Sequence, residues 1–265
     1  MHSHIQIPDS VLTHFRDELD PQKKVWYLDL PSGEIRKKSS KKLGTFPNYY
    51  SKTVEEFWSQ YLESPLGQLN KKVRTFCAGS ETTLTLTSDD QIIAKRYIKA
   101  AAIRSGAAYS EMLKNSATVN ACSVQENHDD LSLLGMALKG QLDQLIDDMA
   151  VTVLVNRSNR HLVVPRNCYY CMSYNKKELI VAPIFPCGAL LLLPIEQVRK
   201  YENKYYAVSC EAEFIEALNL RALWFEYMFN GAFVASDRRE ELVLLQTYRQ
   251  KNLEKLMELR GRLQK

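Results

Sequence analysis

The sequence predicts an α+β fold in which an antiparallel sheet is packed with helices. Three patterns predict it: helical spacing of apolar residues through 53–150, short β-branched and apolar runs between polar turns over 151–210, and helical spacing again over 211–260. A group of helices is followed by a group of strands and then by more helices. This order is typical of an α+β domain and differs from the alternation of strands and helices in βαβ units. A hairpin over 24–38 precedes them. Without a low-complexity linker or internal repeat, a single domain over 1–265 is expected.

The composition is that of an ordinary globular protein. Of 265 residues, 45% are hydrophobic and 25% are charged. The formal net charge of +4 is well below that of a dedicated nucleic-acid-binding protein. The first residues lack the basic and apolar regions of a signal peptide, and prolines interrupt the most apolar stretch, 179–195, so no membrane segment is expected. Six dispersed cysteines are typical of a reducing compartment. The predicted location is therefore the cytoplasm.

The N-terminal elements are predicted from their start and turn signals. A short helix is expected over 8–15, a strand over 25–30, a turn at 31–33 and a returning strand at 34–37. The basic run 36–42 has no apolar periodicity, which predicts an edge strand or a solvated loop. Nucleic acid, contacted weakly through this run, is the one partner that the charge pattern suggests.

The helical part begins with a capping box formed by Thr53 and Glu56. The dipeptide 64–65 is Ser-Pro and is predicted to end or kink this helix, after which apolar spacing resumes. A second start signal at 88–91 precedes another helix, and 131–149 is predicted to be helical again.

The second half is predicted to contain strands and then helices. Two helices are expected, one over 211–233 and a charged one from 238 onward. The predicted strands are 151–155, 161–164, 168–174, 179–185 and 189–193.

Several short motifs follow one another in a characteristic order. They are His4 to Pro8 with Leu12-x-x-Phe15, Val25 to Asp29, Tyr50 before Glu55 and Glu63, Arg104, Phe185 to Leu191, and Asn219-x-x-Ala222. In this order they resemble domain-of-unknown-function family 4238, over nearly the whole chain and with the spacing of the first motif shifted by one residue. The resemblance implies a bacterial protein and carries no activity. One acidic residue is missing, because the family's Ser-Asp-x-Pro segment corresponds here to Val164-Pro165-Arg166-Asn167.

Four residues are predicted to be catalytic if the chain is an enzyme. They are His4, Glu55, Glu63 and Arg104. Glu55 and Glu63 lie about two helical turns apart, so both carboxylates could reach one metal or base, although a solvated helix face has the same pattern.

The N-terminal group of His4, Pro8, His14 and Arg16 offers proton transfer or phosphate binding. The alternative is that His4 lies in a loosely held tail and that His14 packs against the sheet.

Two further motifs have more ordinary explanations. Cys168-x-x-Cys171 resembles half of a zinc site or a redox dithiol, but structural cysteines have the same spacing. Asp29 with Glu34 to Lys37 resembles the acidic and basic set of metal-dependent nucleases, at an unusually short spacing.

Basic and aromatic residues could also contact single-stranded nucleic acid by phosphate pairing and base stacking, although such helix aromatics are more often core. These residues are Lys71, Lys72, Arg74, Trp26, Tyr49, Tyr50 and Trp58.

Two functions of different classes stay open at this point. The first, slightly favoured, is a non-enzymatic or degenerate interaction or regulatory protein, because the family's acidic residue is missing and no catalytic set converges. The second is a metal-dependent enzyme on nucleic acid or nucleotides, such as a defence or toxin-like nuclease. The chain lacks a Gly-rich phosphate loop, a Gly-x-Ser-x-Gly elbow and a His-Glu-x-x-His helix. The sequence names no cofactor.

Overall fold

The computed structural model confirms the α+β fold. It describes residues 2–4, 7–47, 56, 58–79, 84–104, 146–174, 177–195, 206–208, 212–228 and 232–263. The described α-helices are α1 (Asp9–Leu12), α2 (Ser64–Ala78), α3 (Ser88–Arg104), α4 (Ala212–Met228) and α5 (Arg239–Leu263). Single turns of other helix types cover Thr13–Phe15, Ser40–Lys42 and Ser59–Glu63.

The described strands form a five-stranded sheet, a four-stranded sheet and a two-stranded ladder. In chain order they are β1 (His2–His4), β2 (Val25–Asp29), β3 (Ile35–Lys38), β4 (Thr45–Pro47), β5 (Met149–Asn156), β6 (Val164–Pro165), β7 (Tyr170–Tyr174), β8 (Lys177–Phe185), β9 (Gly188–Pro194), β10 (Tyr206–Val208) and β11 (Phe233–Ser236). The strand orders are β10-β5-β9-β8-β7, β3-β2-β11-β6 and β1-β4.

The five-stranded sheet is the most apolar part of the described chain. Its central strands β8 and β9 carry the apolar stretch 179–195, and side chains such as Leu190 and Leu192 are fully buried. Burial on both faces explains why these strands are continuously apolar rather than alternating. Helices α2 and α3 contact β9 and β5, so they cover this sheet.

The predicted N-terminal hairpin is present, but it is completed by a strand that the sequence pattern missed. The pattern predicts one helix over 211–233, whereas α4 ends at Met228 and Phe233–Ser236 is β11. Strand β11 pairs antiparallel with β2 on one side and β6 on the other. Its four residues are all buried, because a central strand has neighbours on both edges and layers on both faces.

Three other boundaries and the direction of one strand also differ from the prediction. The strand expected over 161–164 is reduced to the two residues of β6. The strand expected from 168 begins at Tyr170, because Cys168 has a left-handed φ of 68° and belongs to the preceding turn. Strand β10 runs parallel to β5, so the sheet is not wholly antiparallel. The helix expected to reach 149 gives way to β5 at Met149.

The start of α3 is fixed by a reciprocal pair of hydrogen bonds. The Asp90 amide donates to Thr87 Oγ1 (3.2 Å), and the Thr87 amide donates to Asp90 Oδ2 (2.8 Å). This is a capping box displaced one residue from the predicted start at Ser88, with Asp in place of Glu. Asp90 also pairs with Lys72 of α2, which ties the two helices together.

The C-terminal helix holds the N-terminal hairpin turn. Arg249 of α5 is buried, and its Nη2 donates to the carbonyls of Leu30 (2.9 Å) and Pro31 (3.2 Å), while its Nε donates to the Tyr227 hydroxyl. These acceptors partly replace the water that a buried guanidinium loses. The turn therefore depends on a helix more than two hundred residues away in the chain, since the Leu30–Arg249 separation is 219 residues.

No helix in the described part of the chain combines the length and the apolar composition that crossing a bilayer requires.

Gly33 is predicted to be irreplaceable at this turn. Its φ is +74°, and a Cβ atom there would overlap the Arg249 guanidinium. Gly33→Ala should therefore lower the free energy of unfolding by about 2–3 kcal/mol, from left-handed strain and displacement of Arg249. Urea denaturation measures it.

Gly67→Ala is the matched control. Gly67 lies inside α2, and apart from its chain neighbours and the adjacent backbone of its own helix, no atom of the described residues comes within 4 Å of the position that an alanine Cβ would occupy. Alanine should therefore raise the free energy of unfolding by about 0.5–1 kcal/mol. A Gly33 variant as stable as the wild type would contradict the close approach of Arg249.

Candidate functional site

Five separate segments of the chain surround one cavity with a volume of about 480 Å³. The segments are 14–19, residues 74–78 at the end of α2, His161, the β8–β9 turn at 185–187 and the pair Asp237–Arg238. Three arginines and two histidines are among the lining residues, so this cavity is called the arginine cleft below. The arginines and histidines are Arg16, Arg74, Arg238, His14 and His161.

The cleft lies at one end of the four-stranded sheet. At this end β11 finishes at Ser236 opposite Trp26, and β6 starts at Val164 opposite Ala235. The chain enters β2 at the same end, where Arg16 forms an isolated bridge with Val25. Antiparallel pairing thus brings together Arg16 before β2, Asp237 after β11 and His161 before β6, although these residues are far apart in the sequence.

His161 is held in place at three points by side chains from distant elements. Its ring Nδ1 lies 2.7 Å from Asp237 Oδ2. Its amide donates to Glu241 Oε1 of α5 (3.0 Å), and its carbonyl accepts from Asn219 Nδ2 of α4 (2.8 Å). A residue outside regular structure needs such partners for its backbone groups. The result is an imidazole of fixed position.

The segment around His161 is secured in the same way. Asn219 Oδ1 accepts from the Val163 amide (2.9 Å), and the Leu162 amide donates to the Pro186 carbonyl (2.8 Å). Glu241 is 3% exposed and its Oε2 lies 3.3 Å from Arg160 Nη2. Burial raises the pKa of Glu241, while its contacts with the His161 amide and Arg160 oppose that rise.

The second histidine of the cleft, His14, has a cationic environment. Burial lowers the pKa of His14, and the charges of Arg74 and Arg16 lower it further. His14 is therefore neutral at neutral pH. Arg16 is itself oriented by Ser40, whose Oγ accepts from its Nε (3.1 Å) and Nη2 (2.6 Å).

The carboxylates of the cleft are largely engaged with other residues. Lys37 lies 2.8 Å from Asp17 Oδ2, and the Trp26 indole donates to the same oxygen (3.0 Å). Burial alone would raise the pKa of Asp17, but these contacts and the Leu19 amide hold it below its usual value. Asp237 is bound to His161. Glu18 also lines the cleft, so its three arginines are accompanied by three carboxylates, of which Asp17 and Asp237 are bound to other residues.

The two thiols of the cleft are poor nucleophiles. Burial raises the pKa of Cys77 to about 12, with Cys187 adding to the shift. Burial also raises the pKa of Cys187, and Asp237 adds to that rise. Because only the thiolate is strongly nucleophilic, both groups are inert at neutral pH.

The four residues predicted to be catalytic lie mostly beyond what the structure describes. The backbone of His4 pairs with Thr45 in the β1–β4 ladder, and Arg104 is the last residue of α3; neither side chain is described. Glu55 lies outside the described residues. Glu63 is half-buried in the π-turn before α2. Their grouping around one site stays a prediction. By contrast, His14 and Arg16 of the N-terminal group do line the cleft.

The other predicted metal sites have structural explanations where the structure describes them. Asp29 Oδ2 accepts from the Ser32 amide (3.1 Å) in the hairpin turn, and Glu34 pairs with Arg36. Cys168 is buried, and burial raises the pKa of Cys171 to about 11. Among the described residues, no cluster of three or more His, Cys, Asp or Glu side chains could hold a metal ion.

The basic and aromatic residues proposed to contact nucleic acid are only partly suited to it. Lys37 is paired with Asp17 and Asp20, and Trp58 is 2% exposed, so its ring cannot stack on a base. Tyr49 and Tyr50 lie outside the described residues. The segment 36–42 does form an edge strand and a solvated turn, as predicted.

The sequence pattern missed most of the cleft. The pattern assigns no role to His161, Asp237 or Arg238. The one available signal was the polar group Ser236-Asp237-Arg238 directly after the apolar run 232–235, which is typical of functional residues at strand ends.

Comparisons of the chain with protein-family models, with curated proteins and with solved structures found no match. The resemblance to family 4238 therefore stays a prediction.

A second buried acid lies away from the cleft. Glu226 of α4 is fully buried, and its Oε1 accepts from the Asn167 amide (2.7 Å). Burial raises the pKa of Glu226 to about 8, although this amide and Arg166 oppose the shift. The side chain is thus protonated at neutral pH and acts as a neutral hydrogen-bonding group.

Asn219→Ala should remove the two hydrogen bonds that this side chain makes to the His161 segment. We expect the free energy of unfolding to fall by about 2–3 kcal/mol, because a buried amide and a buried carbonyl lose their partners. Asn252→Ala in α5 is the control. Within the described part of the chain its side chain bonds the Tyr248 carbonyl of its own helix alone, so its effect should stay within about 0.5 kcal/mol. Equal effects in urea denaturation would contradict the positioning role of Asn219.

Glu226→Gln should stabilise the protein in a pH-dependent way. The unfolded chain releases this proton near 4.5, whereas the folded chain keeps it to about 8, so the stability of the wild type falls as the pH rises through that window. Glutamine cannot ionise. The free energy of unfolding of the variant, relative to the wild type, should therefore be about 1–3 kcal/mol more favourable at the upper end of this pH window than at the lower end. Glu213→Gln, at an exposed position of α4, is the control. A gain independent of pH would contradict the buried acid.

Proposed function

We propose that the chain is an interaction or regulatory protein that binds a small phosphate-bearing ligand, such as a nucleotide, in the arginine cleft. The observation that carries the proposal is the convergence of Arg16, Arg74 and Arg238 from three distant segments on one cavity. Guanidinium groups match phosphate oxygens in charge and geometry.

The size and the walls of the cleft support a small ligand. A volume of about 480 Å³ lies within the range of small-molecule sites. Leu19, Phe185 and Pro186 also line it, which gives a base or another flat apolar group a surface to contact. A nucleotide with its phosphate at the arginines and its base against these apolar residues would contact both the charged and the apolar lining of the cleft.

Binding rather than covalent catalysis is supported by the chemistry of the thiols. Cys77 and Cys187 stay protonated at neutral pH for the reasons given above. The missing acidic residue in Val164–Asn167 fits a degenerate member of the family that the sequence resembles. We place the protein in the cytoplasm of a bacterium in this proposal; the described cysteines, all free thiols, support a reducing compartment.

An enzyme acting on nucleic acid or nucleotides is the second candidate. The contact of His161 Nδ1 with Asp237 Oδ2 favours it, because a carboxylate-oriented imidazole is a common proton-transfer group. A metal-dependent version would use carboxylates such as those of Glu55 and Glu63. Weak nucleic-acid contact through 36–42 is compatible with either function.

Adenosine monophosphate is expected to bind the wild-type protein, and adenosine is expected to bind far more weakly. Arg74→Ala and Arg238→Ala should each weaken binding of the monophosphate by about 10- to 100-fold, the effect of losing a charge-assisted hydrogen bond. Isothermal titration calorimetry measures these affinities.

Arg239→Ala is the matched control, because this exposed arginine begins α5 and does not line the cleft. Its affinity should equal that of the wild type. Equal binding of adenosine and its monophosphate, or wild-type affinity in both cleft variants, would overturn the proposed ligand class.

A further inference from the structure

Strand β3 lies at the edge of the four-stranded sheet in the described part of the chain, and the outer side of its backbone is unpaired there. Its neighbour is β2, and the Asp29 amide donates to the Glu34 carbonyl (2.9 Å). Hydrogen-bonded pairs alternate along an antiparallel ladder. The backbone groups of Arg36 therefore also face β2, whereas those of Ile35 and Lys37 face outward. This edge has the groups that a further strand needs for pairing.

The side chains on and after β3 give this edge a positive charge. Arg36 is paired with Glu34, and Lys37 is paired with Asp17 and Asp20. Three further lysines are exposed, and the described residues contain no ion-pair partner for them: Lys38, Lys41 and Lys42. The charge that is not neutralised thus lies on the last residue of β3 and on the turn that follows it.

This charge determines which kind of strand the edge can bind. Lysines on an edge strand oppose the pairing of two copies of the same edge, because like charges would face each other. The same lysines attract a strand with acidic side chains. Side chains alternate between the two faces of a sheet, so every second residue of an added strand would lie on the face of Arg36 and Lys38. The matching partner is an extended segment with acidic residues at alternate positions.

A peptide matches this edge better than a nucleic acid does. The outward N–H and C=O groups of Ile35 and Lys37 recur at the spacing of a β-strand, and a peptide backbone has complementary donors and acceptors at that spacing. A phosphate backbone has acceptors without the matching donors. Lys37 Nζ also lies 4.3 Å from the centroid of the half-buried Trp26 ring on β2, which leaves little of this ring for stacking on a base.

We propose that β3 binds an acidic segment of a partner protein as an added β-strand. Main-chain hydrogen bonds with Ile35 and Lys37 supply affinity, and the exposed lysines select acidic side chains. The inference goes beyond the proposed ligand site, because no residue of β3 lines the arginine cleft. It gives an interaction or regulatory protein a surface for its partner and names the chemistry of that partner.

The test is fluorescence anisotropy with the full chain and a short labelled peptide of alternating glutamate and valine. We expect binding that weakens as salt is added, because the ion pairs are exposed to solvent. The peptide with lysine in place of glutamate should not bind. The acidic peptide with every backbone amide methylated should bind at least about 10-fold more weakly, since it cannot donate to the carbonyls of Ile35 and Lys37.

Lys38→Glu should weaken binding of the acidic peptide by about 3- to 30-fold, because an attraction is replaced by a repulsion. Lys71→Glu is the matched control, since it makes the same charge change at an exposed position of α2, and it should bind like the wild type. Hydrogen exchange adds a measurement on the wild-type protein alone. The bound peptide should slow exchange of the Ile35 and Lys37 amides, which ionic contact without strand pairing would not do.

Each other outcome overturns the inference. Equal binding of the methylated and unmethylated acidic peptides would mean ionic contact without strand addition. Unchanged affinity in Lys38→Glu, or no binding at all, would mean that this edge is not a docking site. If oligothymidylate binds in a Lys38-dependent manner and the peptide does not, the basic run is a nucleic-acid surface instead. None of these measurements involves adenosine monophosphate, so the proposed ligand site stands or falls separately.

Discussion

The pairing of β11 with β2 and β6 holds distant parts of the chain in one four-stranded sheet. Without β11, the N-terminal hairpin would be an isolated two-stranded unit, which is marginally stable in water. The same pairing determines which residues meet at the sheet end. His161, Asp237 and Arg16 lie together because β6 starts, β11 ends and β2 starts at that edge.

The packing around His161 shows how buried polar groups can specify a site. Asn219 and Glu241 are almost fully buried, and each uses its side chain on backbone groups of the His161 segment. Such hydrogen bonds contribute only about 1 kcal/mol net each, yet leaving a buried partner unpaired costs about 1–3 kcal/mol. The energy difference therefore favours one arrangement of the loop strongly over alternatives, which is what a binding or proton-transfer site requires.

The sequence predicted the elements whose signals are local, and it missed those that depend on distant partners. The hairpin turn with Gly33, the buried face of α2 and the apolar strands β8 and β9 all followed from periodicity and turn residues. Strand β11 was missed because three apolar residues and a serine shortly after a helix have no distinguishing period. The cleft was missed because it joins residues such as His161 and Asp237, which are 76 positions apart. The predicted group around Glu63 stays a prediction, since most of its side chains lie beyond the described part of the chain.

The contact of Arg249 with the hairpin turn has a consequence for the order in which the protein can fold during synthesis. The turn at Leu30–Pro31 emerges from the ribosome long before Arg249, which lies 219 residues after Leu30. For most of that time β2 has no β11 to cover its edge, because β11 is made only shortly before Arg249, and unpaired strand edges favour association between chains. The first hairpin to be made is thus among the last parts to reach its native environment, and aggregation of nascent chains is the hazard that this topology creates.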